Sequence, residues 1–225
     1  MADSRVSNVR KKELEQIDPF QENLLKAMVY AKKHKKILLI IISTIICVAL
    51  LITGVSHRYK KNENKAAFLV SQALSKYTKA DNLVSGYEQS IQDFEILFAK
   101  YPKTKSGKLA RIQFAQICYK ALKFNQSYEQ YTKALELFED NAALKNFLLS
   151  SLGHTSIALN KLDEAREYFE QISADNKDLL KDEAQFILAI LDQTDKENSK
   201  KLLSKIVSKY NNSIYKPLAQ DKINK

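Results

Sequence analysis

The chain has 225 residues, with 36 Lys and Arg against 26 Asp and Glu, which gives a formal net charge of +10. Only four Gly, three Pro and two Cys are present, which argues against a turn-rich β-sandwich or barrel and excludes a disulfide-dense scaffold. An apolar content of 45% with 28% charged residues is inconsistent with a wholly disordered chain. The basic excess raises the question of a nucleic-acid partner, and the answer depends on where the charges lie.

Residues 1–36 form a basic segment that we predict to be a cytoplasmic tail with one short amphipathic helix. Asp18, Pro19 and Gln21 match the N-cap, N1 and N3 positions of a helix start. The apolar stripe that follows consists of Leu24, Leu25, Met28 and Val29. Two interpretations stay open: a helix that lies in the membrane interface and is attracted to anionic headgroups, or a solvated segment next to the membrane.

Residues 37–55 contain no charged side chain. At roughly 1.5 Å per residue, a helix of this length spans about 28 Å, close to the thickness of the hydrocarbon core of a bilayer. A soluble core helix of this length would normally show one polar face, and an ordinary signal peptide has a shorter region before its apolar run. We therefore predict that Ile37–Val55 is an uncleaved transmembrane signal anchor.

The basic residues on the two sides of this run predict its orientation. Lysines at residues 32–36 are nearly balanced by the basic residues at 58–65, so the positive-inside rule favours a cytoplasmic N-terminus by a small margin. The short tail is expected to stay inside while the long C-terminal part is translocated. The prediction is a single-pass protein of the inner (cytoplasmic) membrane, with a cytoplasmic N-terminus and a periplasmic C-terminal domain.

Residues 56–225 show helical apolar spacing nearly throughout, and the pattern repeats. Three segments align with one another, and their aromatic positions, 37 and 38 residues apart, are Phe94, Tyr131 and Phe169. The small residues four positions earlier are Ser90, Ser127 and Ala165, and a further copy near the C-terminus places Ser199 there. A period in the high thirties with two helices per unit predicts a helical solenoid of three to four repeats. The sequence leaves open whether the helix beginning near Asn64 is continuous with the span.

One segment resembles the tetratricopeptide repeat family. Its Leu-Gly, Ala and Phe positions are occupied by Leu152, Gly153, Ala165 and Phe169. In packing terms, Gly153 and Ala165 allow two helices to approach closely, and Phe169 fills the gap against the next unit. Helical spacing and the uncharged run together predict an all-α fold with a single N-terminal transmembrane helix, and the resemblance implies that a tetratricopeptide-like solenoid of helical hairpins follows it. The residues assigned to packing in this solenoid are Ser90, Phe94, Ser127, Tyr131, Gly153, Ala165 and Phe169.

The arrangement as a whole resembles the YfgM-type ancillary subunits of the SecYEG translocon. Like them, the chain combines a tail, one signal anchor and degenerate tetratricopeptide helices, and its closing segment, residues 215–224, is similar to theirs. The resemblance implies a periplasm-facing protein that associates with the translocon and with a membrane-anchored chaperone, and that helps to handle emerging polypeptides. The implied partners are therefore other proteins, either these two or subunits of another envelope machine.

Residues with catalytic or metal-binding chemistry are scattered along the chain. His34, His57 and His154 lie in three different regions, and no His or Cys pair has zinc spacing. Cys47 lies in the apolar run and Cys118 on a helix stripe, so neither is predicted to act as a nucleophile or a disulfide partner. The sequence contains no Gly-rich phosphate loop and no Gly-x-Ser-x-Gly motif. We predict a protein that is not an enzyme and that uses no cofactor or metal.

The resemblance also implies a binding surface, because the first helices of successive tetratricopeptide units line a concave groove. By repeat position, the candidate peptide-binding groove consists of Gln113, Gln116, Tyr119, Lys120, Phe147, Ser150, His154 and Ile157. The Phe and Ile of this set are equally compatible with a place in the core. The Lys and Asn pair that clamps C-terminal carboxylates in some of these repeats is missing, since Ser150 and His154 stand there, so a carboxylate clamp is not expected.

Three functions remain as hypotheses: a membrane-anchored protein–protein interaction adaptor of the bacterial cell envelope, a structural scaffold such as a spirochaetal flagellar-motor collar, and a nucleic-acid binder. The charge distribution disfavours the last. Residues 1–36 hold nine basic and five acidic side chains beside the predicted span, while residues 56–225 carry 27 basic and 21 acidic side chains with both signs interleaved. The basic balance is better explained by membrane flanks and a lysine-rich composition, and the adaptor is the favoured hypothesis.

Overall fold

The computed structural model describes residues 19–175, 179–192 and 195–224, and within them it contains ten helices and no β-strand. The all-α prediction is therefore confirmed. The helices are α1 (Pro19–Lys33), α2 (Lys35–Lys79), α3 (Leu83–Lys100), α4 (Lys105–Lys120), α5 (Phe124–Leu137), α6 (Ala142–Ala158), α7 (Leu162–Ala174), α8 (Lys181–Leu191), α9 (Lys196–Lys209) and α10 (Lys216–Ile223). The predicted N-cap Asp18 lies outside the described residues, and α1 begins at Pro19. The chain divides after Arg58 into two units.

The first unit, Met1–Arg58, contains α1 and the beginning of α2. The apolar run at residues 37–55 lies within α2, which is long and apolar enough to cross a membrane. Its large apolar side chains are exposed, whereas those of a core helix in a soluble protein are buried. Ile45, for example, is 62% exposed and Leu51 is 69% exposed. The hydroxyl of Thr44 donates to the Ile40 carbonyl at 2.8 Å, so this polar group is satisfied within the helix.

The second unit, Tyr59–Lys225, begins within α2, because the helical segment near Asn64 and the apolar run belong to one helix of 45 residues. Glu63 joins this part of α2 to the start of α4. Its carboxylate accepts hydrogen bonds from the backbone N–H groups of Lys105 and Ser106, each at 2.8 Å. A carboxylate at a helix N-terminus satisfies donors that have no partner inside the helix and complements the helix dipole.

The core of the second unit consists of four apolar clusters, and the buried residues of each come from three consecutive helices and the turns beside them. The first combines α2, α3 and α4 around Phe94, and the second combines α4, α5 and α6 around Tyr131. The third combines α6, α7 and α8 around Phe169, and the fourth combines α8, α9 and α10 around Ile206. The helices are therefore held together mainly by contacts with their neighbours in the chain.

The turns before α5 and α7 have the same conformation, 38 residues apart. Lys123 N–H donates to the Cys118 carbonyl and Lys161 N–H to the Ser156 carbonyl, both at 2.8 Å. The residue before each of these lysines has a positive φ, 60° at Leu122 and 61° at Asn160. This is the Schellman ending of a helix, in which Gly or Asn is favoured and Leu is strained.

Replacing Leu122 by Gly is therefore expected to raise the free energy of unfolding by about 0.5–1 kcal/mol. The side chain is 69% exposed, so little apolar burial is lost. The measurement is chemical denaturation of the full chain in detergent, followed by helical circular dichroism. Asn160→Gly is the matched control and should change stability by only a few tenths of a kcal/mol, since Asn already tolerates this conformation. A loss of stability in Leu122→Gly would contradict the assigned strain.

Candidate functional site

The predicted groove residues on α4 form an exposed polar and aromatic surface. Gln116 and Lys120 are exposed, Tyr119 is partly exposed at 36%, and Gln113 is half-buried. The Tyr119 ring packs edge-on against Phe124, with the ring centroids 5.4 Å apart. This contact holds the aromatic side chain in one position at the surface. The α4 surface, defined as Gln116, Tyr119 and Lys120, can therefore offer hydrogen-bonding groups and a ring to a ligand.

The predicted groove residues on α6 divide into two kinds. Phe147 and Ile157 are half-buried and pack against two different core clusters, the second and the third. Ser150 is buried, with 7% of its surface exposed, whereas the side chain of His154 is 37% exposed. Of the four predicted positions on this helix, two therefore pack into the core, and the other two make polar contacts with α8.

Ser150 and His154 meet on one carboxylate, that of Glu183 in the first turn of α8. The Ser150 hydroxyl donates to Glu183 Oε2 at 2.8 Å, and His154 Nε2 lies 3.0 Å from Oε1. The Tyr215 hydroxyl donates to the same Oε1 at 3.2 Å. We call these four residues the Glu183 cluster. It joins α6, α8 and the segment before α10 through one acceptor group.

Local geometry explains why these side chains converge. Ser150 and His154 are four residues apart, so they lie on the same face of α6. The His154 ring packs edge-on against Phe169 at 5.3 Å, and the Tyr215 ring lies 5.1 Å from that of Phe186. Both donors are therefore oriented by apolar neighbours. Glu183 and Tyr215 were not predicted from the sequence, because the hydrogen bonds of the cluster join residues 29 or more positions apart.

The hydrogen bonds of the cluster set its electrostatics. Burial by itself raises the pKa of Glu183, but the hydrogen bonds donated by His154 and Ser150 outweigh this effect and hold the pKa below its usual value. The pKa of Tyr215 is raised to about 12, first by burial and then by the neighbouring Glu183 charge. At neutral pH the cluster therefore contains an ionised carboxylate and a protonated phenol that donates to it.

A lowered carboxylate pKa makes stability depend on pH in acid. The contribution of Glu183 is fully present above its unfolded pKa, close to the reference value of 4.5, and is lost as the pH falls through the lower folded value. We expect the stability difference between the wild-type chain and Glu183→Gln to shrink as the pH falls below about 5. Denaturation series at several pH values measure this difference, and one that grows as the pH falls would contradict the assigned sign.

The order of groups in the cluster differs from that of a nucleophilic triad. In a triad the imidazole stands between the hydroxyl and the carboxylate and takes the hydroxyl proton. Here the carboxylate of Glu183 stands between Ser150 and His154. The Ser150 hydroxyl donates to this ionised carboxylate and not to the imidazole. The geometry favours a link between helices. Within the described residues, no three His, Cys, Asp or Glu side chains are grouped so that they could hold a metal ion.

The residues assigned to repeat packing are all buried. Ser127 Oγ donates to the Ala115 carbonyl of the preceding helix at 2.9 Å, and Ser199 Oγ donates in the same way to Ala189 at 2.8 Å. A Cβ built on Gly153 would lie 2.5 Å from Cε2 of Phe169. Ser127 and Ser199 are thus each accommodated by a hydrogen bond to the preceding helix, a contact that spacing alone did not predict.

The two cysteines occupy different surroundings. Cys47 is exposed in the apolar run of α2, whereas Cys118 is fully buried in the first core cluster. Burial raises the pKa of the Cys118 thiol to about 12. The thiol is therefore protonated at neutral pH and acts as a small apolar side chain in this core.

Comparisons of the chain with family models, curated proteins and solved structures found no match.

Proposed function

We propose that this protein is a membrane-anchored protein–protein interaction adaptor of the bacterial cell envelope. One observation carries the proposal: a helix whose exposed apolar stretch is long enough to cross a membrane continues into a unit built from consecutively packed helices. Such a chain presents a helical domain beside a bilayer. With an N-terminus in the cytoplasm, the domain faces the periplasm.

Three features support a tetratricopeptide-like solenoid for the second unit. Each apolar cluster draws on three consecutive helices, which is how stacked hairpins share a core. The Schellman turns before α5 and α7 recur at 38 residues. Serine-to-carbonyl hydrogen bonds recur at Ser127 and Ser199. On this proposal, α2 to α9 form four hairpins and α10 covers the apolar end.

The α4 surface is the part of the predicted groove best suited to an extended peptide. A side-chain amide, an amphipathic ring and an ammonium group are exposed within one helical turn, at Gln116, Tyr119 and Lys120. Gln offers both a donor and an acceptor to peptide backbone, and Tyr adds apolar contact area at a low cost in side-chain entropy. The Glu183 cluster then serves to hold α6 and α8 in register beside this surface.

Site-specific photocrosslinking in intact membranes tests the binding surface. The full chain carries a photoreactive amino acid at Gln116 or Tyr119, and the matched control carries it at Glu136, an exposed residue of α5. Discrete protein adducts at the two α4 positions and few at Glu136 are expected. Equal labelling at all three positions would show that the α4 surface has no special role.

Partner identity separates the adaptor from the scaffold. Adducts or co-purified proteins are expected from the translocon or from a membrane-anchored chaperone if the chain is an adaptor of the kind that the resemblance implies. Recovery of the subunits of another envelope machine, together with motor-localised or polar fluorescence of a tagged chain, would favour the structural scaffold. Phosphatase and fluorescent-protein fusions at the C-terminus determine the side of the membrane, and a cytoplasmic C-terminus would overturn the proposed orientation.

A further inference from the structure

The helix α1 has an exposed apolar face. The apolar side chains of this face are 52–67% exposed: Leu24, Leu25, Met28 and Val29. On a helix that turns by about 100° per residue, they fall within a sector of about 140°, with Lys32 at the C-terminal end of the same sector. An apolar face of this kind is normally covered, either by protein or by lipid.

The opposite side of α1 is polar and charged. Glu22, Asn23, Lys26 and Lys33 lie there, and the Glu22 carboxylate pairs with Lys26 at 2.6 Å. Across residues 19–36 the chain carries five lysines and one acidic residue. An apolar face with a cationic opposite face is the pattern of helices that lie in the interface of an anionic membrane.

The position of α1 in the chain favours the membrane over a soluble partner. Only His34 separates α1 from α2, the helix with the apolar run at residues 37–55. With 15 residues at about 1.5 Å each, α1 is roughly 22 Å long, so every part of it stays near the bilayer surface once α2 is inserted. This tethering gives α1 a high effective concentration at the headgroups.

The helices α1 and α2 are separated at one point, where a change of direction is possible. His34 lies in a turn between the last residue of α1, Lys33, and the first residue of α2, Lys35. The hydrogen bonds from His34 N–H to the Tyr30 carbonyl and from Leu38 N–H to the His34 carbonyl, both 3.0 Å, keep the backbone satisfied there. His34 therefore marks the break between the two helices, and its own backbone N–H and C=O groups are both paired there.

We propose that α1 is an in-plane membrane helix that docks its apolar face onto the anionic headgroup region beside the span. The inference rests on the membrane anchoring proposed above. It goes beyond that anchoring, since it assigns the tail a lipid-binding surface of its own. The lipid chemistry it fits is a phosphate-bearing anionic headgroup above acyl chains. Leu24, Leu25, Met28 and Val29 enter the acyl boundary, while Lys26 and Lys33 stay among the phosphates.

The test uses the absence of tryptophan from the natural sequence. The full chain with Met28→Trp carries a single fluorophore on the apolar face, and Asn23→Trp is the matched control on the polar face. Each variant is reconstituted into phosphatidylcholine vesicles with or without phosphatidylglycerol. With the anionic lipid, we expect Met28→Trp to emit at shorter wavelength and to be quenched by brominated acyl chains. Asn23→Trp should remain open to acrylamide.

A second set of variants tests the charge. Lys26, Lys32 and Lys33 are replaced by Gln in the Met28→Trp chain, and each replacement should weaken docking by about fivefold. The measurement is the phosphatidylglycerol content at which half of the emission shift is reached. Equal acrylamide quenching of Met28→Trp and Asn23→Trp in anionic vesicles would overturn the docking. Protection that is the same in neutral vesicles and rises with the protein-to-lipid ratio would overturn it in favour of a second copy of the chain.

Flotation of the vesicles after alkaline carbonate separates this inference from the anchoring on which it rests. A chain that stays with the vesicles while Met28→Trp is open to acrylamide retains the anchor and contradicts only the docking. A chain that leaves the vesicles contradicts the span, and the docking with it. The expected result is retention of every variant, with emission that differs between the two faces of α1.

Discussion

Replacing Glu183 by Ala is expected to lower the free energy of unfolding by about 2–4 kcal/mol, one of the two largest effects that we expect from a single substitution. The carboxylate accepts hydrogen bonds from His154, Ser150 and Tyr215, and its side chain is only 13% exposed. Its removal leaves the buried Ser150 hydroxyl without this acceptor and removes the side-chain hydrogen bonds that join α6 to Glu183 of α8. Chemical denaturation of the full chain in detergent measures the loss.

Three variants separate the cluster from a general charge effect. Glu167→Ala removes an exposed carboxylate from α7 and should change stability by less than about 0.5 kcal/mol. Ser150→Ala and Tyr215→Phe each remove one donor and should cost about 0.5–1.5 kcal/mol, less than Glu183→Ala. If Glu183→Ala were no more destabilising than Glu167→Ala, the cluster would have no part in holding the helices together.

The second large effect is expected at Gly153. A Cβ at this position would lie 2.5 Å from Cε2 and 2.8 Å from Cζ of Phe169, a ring that is fully buried in the third core cluster. Gly153→Ala should therefore destabilise the protein by about 1–3 kcal/mol, although Ala is intrinsically the better helix former by about 1 kcal/mol. The clash outweighs propensity because the ring is enclosed and also packs against His154.

A double-mutant cycle tests whether the ring is the cause. Phe169→Leu alone should destabilise by creating a cavity, but together with Gly153→Ala the loss should be smaller than the sum of the two single effects. The matched comparison is Ala165→Gly, which should cost about 1 kcal/mol through helix propensity, with a further loss for the buried methyl group. Additive losses in the Gly153 and Phe169 cycle would show that the two residues do not share space.

The long elements could be predicted from the sequence because their signals are local. An uncharged stretch at residues 37–55 and helical periodicity after it indicate one apolar helix and an all-α domain. What this pattern left open was whether the apolar helix ends before Asn64, since no Pro separates the run from the helical segment there.

The candidate site was predicted less well, because helical spacing places a residue on a face but does not say what covers that face. Gln116, Tyr119 and Lys120 lie at the surface, whereas Phe147 and Ile157 pack into core clusters. The exposure of each position depends on the next helix, whose register is set by packing. An alignment of the repeats shows which residues correspond between units, but it does not show which of them a neighbouring helix buries.

Taken by itself, the sequence determined the helical content, the single apolar stretch and the recurrence of small and aromatic residues, since these depend on composition and on spacing within one or two turns. Only the tertiary structure decided that Ser150, His154 and Tyr215 share the carboxylate of Glu183, and that Gly153 gives room to Phe169. The physical reason is that hydrogen bonds and close approaches between helices depend on distances of a few ångströms across sequence separations of 16 to 33 residues. Such distances are set by how neighbouring helices pack, which no local pattern specifies.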